Sequence, residues 1–167
     1  MKVDEYKIDR SSWEEISIDG WFKALIPPNW ELDDSDEEVI IYDPNGFGEI
    51  CVNFLEKEIT DRKKEAAAEI IHDWSRQLGH NNGHEITIFK RSKDQLVMTS
   101  EFIADEPEGE IEFWRIFALI GQQKVLDISY SCPIEDRDRE ESLIDGIVDS
   151  IKLVDDIDQA ENPVDLI

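Results

Sequence analysis

The sequence is poor in cysteine, with 2 among 167 residues, and two cysteines do not make a disulfide framework. Cys51 and Cys132 each sit among apolar neighbours in a stretch that reads as strand, so both are expected to be free, buried thiols. Glycine is sparse: the 8 glycines are scattered singly, and no glycine-rich loop is present to cradle a phosphate. No apolar run approaches the roughly 20 residues that span a bilayer. The opening Met1-Lys2-Val3-Asp4-Glu5-Tyr6 lacks the basic and then apolar regions of a secretory signal, which leads to the expectation of a cytoplasmic protein. Positive charge is the scarcest resource, since 17 Lys and Arg stand against 41 Asp and Glu for a net charge of -24. Such a field repels nucleic-acid backbones and anionic membranes and draws in basic partners, so neither nucleic acid nor membrane is expected as a partner.

What is present suffices for one folded unit. A chain of this length buries roughly 70% of its unfolded surface, and 40% of its residues are hydrophobic, including 5 Trp and 7 Phe. Residues 1–19 read as a polar arm with one short apolar stretch, Trp13 to Ile18, fit for an edge strand or a turn of helix. Trp21 to Ile26 alternates as a strand that Pro27-Pro28 must end, because proline has no amide for a ladder. Glu31 to Glu38 holds six carboxylates and no base and reads as a solvated loop. Val39 to Tyr42 is a short strand closed by Asp43-Pro44-Asn45-Gly46, and Ile50, Val52 and Phe54 alternate along the next.

A helix is expected from about Asp61 to Leu78, capped by Thr60 and ended by Gly79. Ala67, Ile70, Ile71, Trp74 and Leu78 recur at helical spacing and form a stripe for the face of a sheet. Four β-rich runs follow, from Ile86, Leu96, Ile111 and Val125, and their short links imply antiparallel neighbours. The run Phe113 to Ile120 is apolar on both alternating faces, the mark of a strand covered on both sides. Leu143, Ile144, Ile147, Val148 and Ile151 mark a second amphipathic helix starting near Arg137, and the acidic stretch 155–167 reads as a mobile tail.

The order of these elements, with Pro28-Asn29-Trp30 after an early aromatic strand, Asp43-Pro44-Asn45-Gly46 closing a strand, Gly121 before Ile128-Ser129-Tyr130, and a last helix closing on Asp149-Ser150-Ile151-Lys152-Leu153, resembles the PsbP-like superfamily. That superfamily takes in photosystem extrinsic subunits, the Ran-binding Mog proteins and small bacterial domains. The resemblance covers roughly residues 20–154. It implies an α+β fold, a twisted antiparallel sheet with amphipathic helices packed on it as an α/β/α sandwich, and a mostly non-catalytic life spent holding a protein partner.

No constellation of residues makes a convincing reaction centre. His80 and His84 have a His-x3-His spacing but lie in a turn without further ligands, so no metal or cofactor is expected. Counted from Asp33 as a calcium loop, the sixth position is Glu38 instead of glycine and the twelfth is Pro44 instead of glutamate. Glu108, Glu110 and Glu112 alternate at a strand entry, where exposure explains them more cheaply than acid–base chemistry. Cys132 precedes Pro133 without the setting of a nucleophile, and the chain is not expected to be an enzyme.

The expectation is therefore a non-catalytic acidic interaction module for a basic protein. Contact is assigned to Asp33, Asp34, Asp36, Glu37 and Glu38 or to Glu108 and Glu110 in the segment Asp105 to Glu112, with Trp21 and Trp30 as aromatic anchors where exposed. An immunity-type inhibitor of a basic toxin is a sharper form of the same reading. A small enzyme or metal carrier using the histidines or glutamates is the competing class.

Overall fold

Residues 111–120 show how the chain is assembled. Phe113, Phe117 and Leu119 enter one core, while Ile116, Ala118 and Ile120 enter another. A strand that is apolar on both sides needs cover on both, and the computed structural model supplies it. It describes residues 9–35, 37–56, 63–78, 87–90, 95–105 and 109–154. In chain order the elements are β1 (Glu14–Ile18), β2 (Phe22–Ile26), β3 (Glu31–Asp34), β4 (Glu38–Tyr42), β5 (Glu49–Glu56), α1 (Lys63–Gln77), β6 (Thr87–Lys90), β7 (Leu96–Asp105), β8 (Ile111–Ile120), β9 (Lys124–Pro133), α2 (Glu141–Ser150) and β10 (Lys152–Leu153).

Seven strands form an antiparallel sheet in the order β3-β4-β5-β9-β8-β7-β6. On one face α1 packs across β7 and β8. Its stripe is the one the 3.6-residue period picked out: Ala67 and Ile71 are buried, with Ile70, Trp74 and Leu78 packed around them, against Met98, Phe102, Ile116 and Ala118. The other face is covered by α2 and by a small sheet of order β1-β2-β10. The result is an α+β domain in three layers, one of them a helix and a small sheet together. Phe22, Ile41, Ile50, Leu126, Ile128 and Ile144 are fully buried between that layer and the large sheet.

Two local readings change. Within residues 31–38, residues 31–34 are the outer strand of a hairpin: Glu31, Leu32, Asp33 and Asp34 pair with Tyr42, Ile41, Ile40 and Val39. All four β3 residues are exposed, so no apolar alternation announces the strand, and its hydrogen bonds come from β4. Carboxylates along such an edge discourage pairing with a second edge. The last helix begins at Glu141, after a 3-10 turn over Ile134–Asp136, and ends at Ser150. Ile151 turns extended, with φ -66 and ψ 128, and Lys152 and Leu153 then pair with Lys23 and Phe22 of β2.

The stretch Trp13 to Ile18 resolves as an edge strand, and because β1 pairs with β2 along its whole length it belongs to the packed body, not to an arm. Pro27 to Trp30 closes a turn through Trp30 N–H to the Pro27 carbonyl at 3.2 Å, with Asn29 at φ 75, a conformation asparagine tolerates. Thr60, Gly79, His80, His84 and the segment 155–167 lie outside the described residues.

Candidate functional site

Because α1 covers β7 and β8, the part of the same sheet face made by β3, β4 and β5 has no helix over it among the described residues. Register decides what stands there. Glu31, Tyr42, Glu49 and Ser131 form one row across β3, β4, β5 and β9. Asp33, Ile40, Cys51 and Ser129 form the next, and Glu38, Asn53 and Asp127 a third. Side chains two apart on a strand share a face, so Glu31, Asp33, Glu38 and Glu49 converge on one open surface with Tyr42, Ile40 and Cys51 between them.

Local chemistry reports the same clustering. Tyr42 Oη donates to Glu31 Oε2 at 2.9 Å, and that bond, with the nearby charges of Glu31, Asp33 and Glu49, raises the phenol pKa. Cys51 Sγ donates to Glu38 Oε2 at 3.0 Å. Burial first, then this bond and the charges of Glu38, Glu49 and Asp127, push the Cys51 thiol up to about 12. At the inner border Asp127 accepts from Trp74 Nε1 at 2.7 Å; burial raises its carboxyl pKa while the tryptophan bond opposes the rise. Trp74 is thus only half-buried, set against Trp114 with ring centroids 5.6 Å apart.

Among the described residues none of Glu31, Asp33, Glu38, Glu49 or Asp127 is paired with a lysine or arginine. The ion pairs lie elsewhere, for example Arg115 with Asp145 at 2.6 Å and Arg139 with Asp136 at 3.1 Å. Among the described residues the face is a patch of negative charge without a paired base, with an aromatic and an aliphatic side chain in its midst.

The residues expected to carry contact are divided by the fold. Asp33 and Glu38 stand on the acidic face, while Asp34 projects to the opposite side of β3 and Glu37 is exposed in the turn. Asp36 and Glu108 lie outside the described residues. Glu110 is exposed at the entry to β8, with β9, β5 and β4 between it and β3, so the two acidic segments do not meet. The tryptophans are not free anchors: Trp30 is 8% exposed in the core, and Trp21 is stacked on Phe54 at 4.8 Å with Lys124 over its ring. Glu49, Tyr42 and Cys51 were missed, because alternation within a strand says which residues share a face but not which strand lies alongside.

Both cysteines are free; Cys132 is buried and Cys51 half-buried. Burial also raises Cys132, to about 11. Titration of the native protein with a thiol reagent at neutral pH should be slow at both sites and give two equivalents on denaturation, since the thiolate is the reacting form. An unfolded thiol near 9 ionises before the folded one, so this contribution to stability is complete below about pH 9 and lost as pH rises toward 12. A fast first equivalent from the native state would place Cys51 in the open.

No protein-family model matches the chain, and no curated protein matches its sequence. Solved structures do match. A protein of Bacteroides thetaiotaomicron VPI-5482 superposes with a TM-score of 0.62 at 14% identity over 85% of this chain and 48% of its own, so the present chain spans about half of that protein. LpqN of Mycobacterium tuberculosis, described as involved in cell envelope biogenesis, gives 0.52 at 13% identity over 79% of this chain and 82% of its own. The cyanobacterial PsbP of Synechocystis sp. PCC 6803 gives 0.40 at 14% identity over 90% and 97%. The chain has an α+β fold in common with the Bacteroides protein and LpqN, and at these identities the likeness is one of fold alone.

Proposed function

We propose that this protein is a non-catalytic acidic interaction module that takes a basic protein partner on the open face of β3, β4 and β5. The observation that carries the reading is the convergence of Glu31, Asp33, Glu38 and Glu49 on that face without a paired base among the described residues. Like charges held this close repel, so the free protein bears a cost that a cationic surface relieves. Tyr42 and Ile40, both half-buried, offer apolar contact inside the charged rim. The two thiols, held protonated by burial, are poor nucleophiles, which favours binding over covalent catalysis.

The test is association kinetics with a purified basic partner at low and high salt, using wild type and a variant carrying Glu31→Gln, Asp33→Asn, Glu38→Gln and Glu49→Gln. Steered encounter predicts an on-rate that falls about tenfold or more with salt and again with the variant. The variant alone should melt no lower than wild type, since it relieves repulsion. An on-rate indifferent to both salt and substitution rejects the acidic face as the contact.

A further inference from the structure

The opposite face of the large sheet carries a feature that the acidic face does not explain. Between the outer part of that face and the start of α2 is a cleft of about 340 Å³, whose lining includes Glu101, Phe113, Arg115, Arg137, Asp138 and Glu141. Beside it on β7 and β8, Ile103 and Ile111 are 41% and 42% exposed. Register puts Ile103 opposite Phe113, with Glu101 and Ile111 each two residues along from them, so all share the cleft's side of the sheet. Apolar floor and apolar ledge are therefore continuous.

Arg115 stands in the wall. Its guanidinium lies over the Phe117 ring at 4.9 Å, with Nη1 2.6 Å from Asp145 Oδ1 and Nε 4.0 Å from Glu101 Oε1. Its charge is thus already balanced by neighbouring carboxylates, yet neither the buried Nε nor the buried Nη1 makes a well-aligned hydrogen bond. A buried donor without a partner is costly and calls for an acceptor when the cleft fills. The acceptor should be neutral. Glu101, Asp138, Glu141 and Asp145 outnumber Arg115 and Arg137 by four to two, so a carboxylate would enter against a net negative rim. A peptide carbonyl meets the need, and a peptide also brings apolar side chains for the Ile103–Ile111 ledge and basic ones for Glu101, Asp138 and Glu141.

We infer that this cleft and ledge form a second docking groove, taking an extended segment of a protein partner in which apolar and basic side chains alternate. The groove lies across the sheet from the acidic face and stands or falls separately from it.

The probe is a capped peptide of alternating leucine and lysine, titrated into isotope-labelled full chain with amide shifts followed. Shifts are expected to cluster at Ile103, Ile111, Phe113, Arg115 and Glu141. Because both isoleucines are exposed, Ile103→Ser with Ile111→Ser should keep the fold, checked by melting, while weakening binding about tenfold or more, and Glu101→Gln with Glu141→Gln should weaken it likewise. The four-carboxylate variant of the β3–β5 face should leave this binding intact. Replacing the peptide's leucines with serine, or its lysines with glutamate, should abolish it. Shifts confined to β3, β4 and β5, or an affinity unchanged by the isoleucine pair, would overturn the groove while leaving the acidic face standing.

Discussion

Glu140→Ala should destabilise the protein by about 4 kcal/mol, because it strips the acceptor from one buried and two part-buried donors, each worth roughly 1–3 kcal/mol when left unsatisfied. Glu140 is 3% exposed just before α2. Its Oε1 accepts from Tyr130 Oη at 2.7 Å, from Gly48 N at 2.9 Å and from Phe47 N at 3.4 Å. Burial first, with the bond to Glu140 next, raises the Tyr130 phenol far above its ordinary range, so this hydroxyl stays a donor at any physiological pH. One carboxylate thus ties the Asp43–Gly48 turn, the end of β9 and the start of α2. The fit is tight: a Cβ on Gly46 would come within 2.5 Å of Glu140 Oε2, so this turn admits only glycine there without a shift of the carboxylate.

Glu140→Gln keeps an acceptor oxygen and should cost less than half as much. Urea denaturation of Glu140→Ala, Tyr130→Phe and the double variant gives the coupling directly. A loss below about 1 kcal/mol for Glu140→Ala would mean that water replaces the carboxylate and the tie is dispensable.

The second large effect is expected at Phe22→Ala, at about 3–5 kcal/mol, the usual cost of deleting a buried aromatic ring. Phe22 is 0% exposed, at the middle of the small sheet, where it pairs with Ile18 of β1 and Leu153 of β10. Its ring lies 6.3 Å from that of Phe54 on β5, so it joins the small sheet to the large one. Its neighbour Lys23 points to solvent, and Lys23→Ala should change stability by less than about 0.5 kcal/mol. Far-ultraviolet circular dichroism and tryptophan fluorescence should give one coincident transition for wild type and for Phe22→Ala. Two separated transitions, or a near-neutral Phe22→Ala, would make the small sheet an appendage rather than a layer.

How far the chain announces this architecture varies from element to element. The α1 stripe of Ala67, Ile71 and Trp74 and the two-sided apolar run of β8 were legible because burial on known faces imposes a period on the residues themselves. β3 was not, since four exposed residues carry no period and their hydrogen bonds come from β4. β10 is two residues long, and only its pairing with Lys23 and Phe22 makes it a strand. Glu140 looks like any acid in an acidic stretch until the turn at Phe47 and Gly48, 93 and 92 residues away in sequence, presents its amides.

The sequence by itself determined the charge, the free thiols and most strand and helix positions. Each of these follows from composition or from a local period. Only the tertiary structure decided which carboxylates act together. Strand order and register set Glu49 of β5 in line with Glu31 of β3, left Asp34 on the reverse side, put Glu110 far across the sheet and sank Trp30 into the core. The physical reason is that a strand's own residues fix which side chains share its face, whereas the neighbours on that face are chosen by backbone hydrogen bonds between segments distant in the chain.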